Sequence, residues 1–278
     1  VVGDLALDVL VTPVRPAVPG ADVPARIRTT PGGAGANTAA WLAHLGADVT
    51  LVGRIGDDPA GRAAADDLRA AGVRAALALD PHHPTCTVVA LIGDGDRTML
   101  SDRGAAAHLQ PGDLPALDGA DHLHLSGYVL LDHSSRAAGL AALSAAHEAG
   151  ISTSVDPQAA PALTPAFRDL VRGVDLLLPN ADELAALGGA AALLDDVCAV
   201  AATYAGEGAT WHDADGTWST GAPAVEVVDA TGAGDAFDAG LLVSWLGGSG
   251  PQDALRSGCA AAARAVGRAG ARPPSGAR

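Results

Sequence analysis

Strand-like apolar runs alternate with helical patterns along almost the whole chain, and this alternation narrows the fold more than any other feature. The strand-like runs are Val49–Val52, Val88–Ile92, His122–Leu125, Ile151–Val155, Val174–Leu178 and Cys198–Thr203. Helical patterns fall at Thr38–Leu45, Ala60–Ala71, Ser134–Ala149, Ala166–Val171, Ala181–Leu187, Ala233–Leu246 and Pro251–Val266. Such an order implies βαβ units, a mostly parallel central sheet and helices on both of its faces. A further strand is expected over Val1–Val11, entering from the first residue. Two stretches break the alternation, about 12–30 and 84–101, where short β segments occur with no helix between them. They predict a small β lid over one edge of a single α/β domain spanning 1–278.

Composition limits what such a domain can bind and how it can be filled. Aromatic residues make up only 3% of the 278 residues while 49% are hydrophobic, so the core must be built from Leu, Val and Ala. All 17 basic residues are arginine. With no lysine there is no Schiff-base chemistry, no lysine base and no phosphate loop of the GK[ST] type. A net charge of −15 argues against nucleic acid and anionic membrane surfaces as partners. Cys86, Cys198 and Cys259 are too scattered for a disulfide framework or a CxxC metal site. Together with the lack of a bilayer-length apolar run or a basic-then-apolar leader, they lead us to expect a cytoplasmic protein. Val1 already lies within an apolar run, so the native start is expected upstream.

Ligands of open α/β sheets bind beyond the carboxyl ends of the strands, where loops run into helix N-termini. Four segments with unusual chemistry are expected there. In Asp229-Ala-Thr-Gly-Ala-Gly-Asp235, which follows the strand-like run Val225–Val228, the near absence of side chains at Gly232, Ala233 and Gly234 exposes backbone N–H groups at a helix start, a site for a phosphate. Asp235 in the first turn could orient or deprotonate a hydroxyl, or simply cap the helix. In Pro31-Gly-Gly-Ala-Gly-Ala-Asn37 the glycines permit close backbone approach and Asn37 offers donors and acceptors to a polyhydroxy ligand. Neither glycine segment has the third glycine of a dinucleotide fingerprint. Asn180-Ala-Asp-Glu183 follows a strand and uses one of only two asparagines and one of only four glutamates in the chain. It reads equally as a metal-holding pair or a helix capping box. In the first strand, Asp4 and Asp8 share one face, facing either a ligand or water. Zinc and serine-hydrolase chemistry lack their spacings.

Taken together, these segments are similar to the PfkB family of carbohydrate kinases. The likeness runs almost end to end through Gly3–Asp8, Gly32-Gly33…Asn37, Val52-Gly-Arg-Ile-Gly-Asp-Asp58-Pro-Ala-Gly61, Asn180-x-x-Glu183 and Asp229–Asp235. The resemblance implies a ribokinase-like three-layer α/β/α domain and transfer of the ATP γ-phosphoryl group to a hydroxymethyl oxygen of a sugar or nucleoside. It gives Asp235 the role of base, and Gly232, Ala233 and Gly234 that of an anion hole. Asn180 and Glu183 would hold Mg²⁺ through water. Asp8, Gly32, Gly33 and Asn37 would grip the substrate. Thr203, Gly206, Gly208 and Thr231 would lie along the nucleotide, and Asp229 with Thr231 would match a monovalent cation (K⁺) site. Relatives often form homodimers through the lid, which this sequence leaves open.

The sequence departs from the family pattern in places. Ala205 stands where the turn Thr203–Gly208 normally has its first glycine. Ala6, Ala34 and the Arg103-Gly-Ala-Ala-Ala stretch replace residues usual in ribokinase, which points away from ribose as the acceptor but leaves phosphoryl transfer in place. Arg97 or Arg103 could meet an anionic substrate or be solvated lid charges. A nucleoside kinase, or an inactive relative that binds a metabolite, are the competing expectations.

Overall fold

A computed structural model of the chain describes residues 1–93 and 96–274, with only the backbone of Asp96 and Arg97. The side chain of Arg97 thus lies outside the described residues. Twelve strands are present among them: β1 (Ala6–Pro13), β2 (Ala25–Gly32), β3 (Thr50–Gly56), β4 (Arg74–Asp80), β5 (Cys86–Gly93), β6 (Asp96–Asp102), β7 (His122–Ser126), β8 (Ser152–Asp156), β9 (Leu176–Leu177), β10 (Ala199–Thr203), β11 (Ala209–Asp213) and β12 (Gly216–Thr220). The larger sheet runs β4-β3, then Val2 as a bridging residue, then β7-β8-β9-β10-β11-β12. Val2 is paired in parallel to Val52 on one side and Leu125 on the other, which joins the two halves. All pairings are parallel except those of the hairpin β11–β12 and its contact with β10.

Alternation along each strand sends successive side chains to opposite faces, and two separate cores follow from it. Leu51, Leu176, Ala199 and Ala201 face the helices Ala34–His44, Pro59–Ala70, Ala233–Leu246 and Pro251–Val266. Their neighbours Val52, Leu177 and Val200 face the helix Arg136–Glu148 on the other side. The result is a three-layer α/β/α domain. Each fully buried Leu contributes about 2 kcal/mol of burial free energy, but much of the packing is done by alanine and glycine. Gly240 is one such case: a Cβ there would lie 2.6 Å from the Ser257 carbonyl oxygen of the neighbouring helix.

The second sheet has the order β2-β1-β5-β6 and packs over a small cluster of Ala6, Cys86 and Ala106. It contains the stretches that break the sequence alternation, but it also takes in residues 6–13. The strand expected over Val1–Val11 is therefore divided: Val1 and Val2 belong to the larger sheet, and the chain passes into the smaller one from Ala6. The strand-like run Val225–Val228 is not a strand; Val225, Val227 and Val228 lie on an irregular, exposed segment. Among the described residues no helix is long and apolar enough to cross a membrane.

The division at Leu5 depends on backbone contact. Gly35, in the first turn of the helix Ala34–His44, sits so close to the first strand that a Cβ would come within 2.7 Å of the Gly3 Cα. We expect Gly35→Ala to cost about 2 kcal/mol in chemical denaturation through overpacking. Gly112→Ala, at a position with nothing within 4 Å, should stay within about 0.5 kcal/mol of the parent protein.

Candidate active site

The carboxyl ends of β8 and β10, the residues just after β9 and the start of the helix Ala233–Leu246 converge on a cleft of about 300 Å³. Of the residues expected at the site, Asn180, Glu183, Thr203, Gly232, Ala233, Gly234 and Asp235 all line it. The helix begins at Gly232, in the left-handed region at φ 75°, with no side-chain cap. Its opening N–H groups are thus left to a ligand, apart from Ala233, whose N–H reaches the Ala230 carbonyl at 3.3 Å. The glycines on either side of Ala233 differ in what they do. A side chain at Gly232 would collide with Ala271, whereas one at Gly234 would meet nothing within 4 Å, so Gly234 keeps the space before the helix open.

Asp235 is buried in the first turn of this helix. Burial pushes its carboxyl up to about 7, opposed by a hydrogen bond from Asn37 Nδ2 to Asp235 Oδ2 of 2.9 Å. Residues 198 positions apart in sequence are brought into contact here. The second glycine segment lies on the same side. Gly32 makes room for the carboxylate of Asp8, which a Cβ would overlap at 2.2 Å, and Gly33 packs against the backbone of Asp4–Ala6. The close approach allowed by Gly33 and Gly35 is therefore to the chain's own first strand.

Asn180 and Glu183 form a capping box: Asn180 Oδ1 accepts from the Asp182 and Glu183 N–H groups, and Glu183 Oε2 accepts from the Asn180 N–H. The capping-box reading therefore holds, and the capped helix places Glu183 in the cleft wall. Asp229 organises its own loop, accepting from the Thr231 N–H and O–H and from the Gly270 N–H. Gly206 and Gly208 lie in the turn that follows β10, outside the cleft wall. Arg103 is neither solvated nor open to an anion: it donates to Asp4 and Asp132 and lies over the Tyr128 ring.

Three contributors escape the sequence reading. Asp156 and Asp238 line the cleft with Glu183 and Asp235. Asp156 is at the carboxyl end of β8, where the rule for α/β sheets would have found it. Asp238 is one turn beyond Asp235. Burial, then the neighbouring carboxylates, push both well above the ordinary carboxylate range; burial also raises Glu183 against its hydrogen bonds with Asn180. Arg272, from the C-terminal segment, reaches Asn37 and carried no recognisable signal.

Ala205 adopts φ 48° in that turn after β10. An L-residue in this region carries a penalty of roughly 1–2 kcal/mol, partly offset because glycine would loosen the unfolded chain. Ala205→Gly is expected to raise the unfolding free energy by about 0.5 kcal/mol in chemical denaturation.

Known proteins share this architecture. The model of the pfkB family of carbohydrate kinases matches residues 1–277. An ATP-dependent ribose-1-phosphate kinase of Halopiger xanaduensis is 32% identical over 92% of this chain and 88% of its own. A fructokinase of Klebsiella pneumoniae is 34% identical over 87% and 82%. Among solved structures, an adenosine kinase from Sinorhizobium meliloti superposes with a TM-score of 0.88 at 25% identity, over 98% of this chain and 94% of that one. The chain belongs to the pfkB family of carbohydrate kinases.

Proposed function

We propose that this enzyme moves the γ-phosphoryl group of ATP to a hydroxymethyl oxygen of a small sugar, with Asp235 taking the acceptor proton. The observation that carries this reading is the place of Asp235, buried at an uncapped helix start between the Asn37 side and the carboxylate-lined cleft. A base whose carboxyl sits near 7 can accept a proton at neutral pH and give it up again. The positive end of the helix dipole and the N–H groups of the first turn would meet charge on the transferring phosphoryl oxygens. Asp8, Gly32, Gly33 and Asn37 would hold the sugar; Thr203, Gly206, Gly208 and Thr231 would lie toward the nucleotide.

The donor set suits Mg²⁺. Crowded carboxylates of Asp156, Glu183 and Asp238 repel one another, and Asp238 Oδ2 is buried with no hydrogen-bond partner. Among the described residues no group of three or more ligating side chains would hold an ion unaided. A hard cation can be held by one or two carboxylates, water and substrate phosphates. Glu183 and Asn180 would hold it through water, and when bound it would neutralise phosphate charge. We extend the reading to K⁺ at the Asp229–Thr231 loop, whose hydrogen bonds fix the carboxylate in place. A homodimer through the smaller sheet would cover Ile27 and Leu100, each more than half exposed. The free cysteines suit a reducing cytoplasm.

A sugar is favoured over a nucleoside because most stacking groups are committed elsewhere. Phe167, Phe237, Trp41 and Trp211 are buried in the two cores, Trp218 and Trp245 pack against one of them, and the Tyr128 ring is covered by Arg103, which leaves Tyr204 beside the turn after β10. ADP release with Mg-ATP and K⁺ across sugars, sugar acids, sugar phosphates and nucleosides tests this directly. One sugar far above the ATP-only background is expected; a nucleoside in that place would overturn the acceptor assignment.

Asp235→Asn should lower kcat by about 10²–10⁴ while leaving nucleotide binding near that of the parent. Its effect on stability should have the opposite sign. The Asp235 carboxyl rises from 3.8 in the unfolded chain to about 7 in the folded one. Folding therefore favours the protonated form. Below pH 4 that contribution is fully present, and it is lost as pH rises toward 7, by on the order of 4 kcal/mol. Asn is neutral throughout, so the variant should unfold at a higher temperature than the parent at pH 8 and lose this advantage near pH 4.

A further inference from the structure

The C-terminal segment ties the two glycine segments of the site together. Gly270 N–H donates to Asp229 Oδ2 at 3.0 Å, and the Ala271 carbonyl accepts from Trp41 Nε1 at 2.9 Å. Arg272 then enters between them. Its Nε donates to Asn37 Oδ1 at 2.8 Å, its Nη1 to Asp67 Oδ2 at 3.1 Å and its Nη2 to the Gly32 carbonyl at 3.3 Å. Asn37 in turn donates from Nδ2 to Asp235. An amide has one oxygen and one nitrogen end, and a guanidinium can only donate. With Arg272 on one end, the other must be the NH₂.

We propose that Arg272 is a positioning residue for phosphoryl transfer: it fixes the Asn37 amide so that its nitrogen faces Asp235, and so sets where that carboxylate points. This rests on Asp235 being the base. The arrangement supplies more than orientation. If the amide turned over, its oxygen would face the carboxylate and repel it. The charges around Asp235 are otherwise mostly negative: Asp4 and Asp8 from the first strand, Asp156 from β8 and Asp238 from its own helix. Arg272 is the cation that opposes them, and it keeps the carboxyl lower than it would otherwise be. Its own burial works against its charge and lowers its pKa, an effect that Asp67, Asp235 and Asp8 offset only in part. Arginine suits this place because its planar fork can hold three acceptors at once, which a lysine ammonium on a flexible stem cannot do in the same geometry.

The test compares kcat/KM against pH for the parent, Arg272→Gln and Arg272→Lys, using the acceptor found by the panel. Loss of the cation and of the amide lock should move the acid limb of Arg272→Gln upward by about one pH unit. Arg272→Lys keeps the charge and should recover part of that shift. A second readout needs no turnover. The stability gained by Asp235→Asn, followed against pH, reports protonation of Asp235, and in the Arg272→Gln background its midpoint should rise by the same amount. If both limb and midpoint stay at the parent value while kcat falls, Arg272 is a structural tie only and the proposal fails. Should Arg272→Gln not fold, Arg272→Lys carries both measurements, and an unshifted limb and midpoint there overturn the proposal. Wild-type turnover in Asp235→Asn would instead remove Asp235 as the base, an outcome distinct from an unmoved limb with Asp235→Asn inactive.

Discussion

Asp235 places a carboxylate in the protein interior, where its charge is costly unless something nearby stabilises it. Little of what surrounds it is free to vary once that is so. Asn37 must reach it from another helix, which requires the helix Ala34–His44 to begin close against the first strand, which in turn requires glycine at positions 3 and 35. Asn37 must present its nitrogen, which brings in Arg272 and the C-terminal segment. Gly232 must let that segment pass, since a side chain there would strike Ala271. Residues from both ends of the chain are bound to one ionisable group.

The sheet supplies the frame for these contacts. The larger sheet ends its parallel strands at the cleft, so Asp156, Glu183 and Thr203 arrive there from three successive connections. The smaller sheet grows out of the same place, because β1 begins directly after Asp4 and Leu5 and β2 ends at Gly32. The first strand therefore serves both sheets in turn. Its buried Asp4 sits at the junction, accepting from the Gly35 N–H and from Arg103. Movement of the smaller sheet would pass through this junction, next to Asp8, Gly32 and Asn37.

Much of this was legible in sequence because it is local. Alternation of strand and helix patterns fixes the layers, and glycines beside Asn37 and Asp235 mark helix starts without needing any distant contact. The strand β4 was missed because Arg74-Ala-Ala-Leu-Ala-Leu-Asp80 is rich in good helix formers, and parallel pairing with β3 overrides that preference. The break after Leu5 was missed because nothing in the Val1–Val11 run interrupts its strand-like character; the contact with Gly35 interrupts it. Val225–Val228 failed in the opposite way, as a β-branched run with no partner strand beside it. Asp238 stands in an ordinary helical pattern, and only the fold shows that its side faces three other carboxylates. Arg272 lies 235 residues from Asn37 and belongs to no local motif.

The crowding of acids also explains a feature that otherwise looks wasteful. Burial and mutual crowding hold the carboxyls of Asp156, Glu183 and Asp238 above the ordinary range, so on their own these groups are driven toward the protonated form. On the proposed function, a nucleotide that brings a divalent cation would draw these protons off, because a cation favours the charged carboxylates. Under that function, charge alone would favour the cation-bearing nucleotide over the bare one. The basic groups that could have weakened this preference are engaged elsewhere: Arg103 with Asp4 and Asp132, Arg272 with Asp67 and Asn37. Left free, either guanidinium could pair with a phosphate or a carboxylate in the cleft and reduce the need for a cation. Their pairing with other acids keeps both guanidinium groups from pairing with Asp156, Glu183 or Asp238, and under the proposed function these arginines, though remote from the reacting atoms, would bear on which form of the nucleotide is admitted.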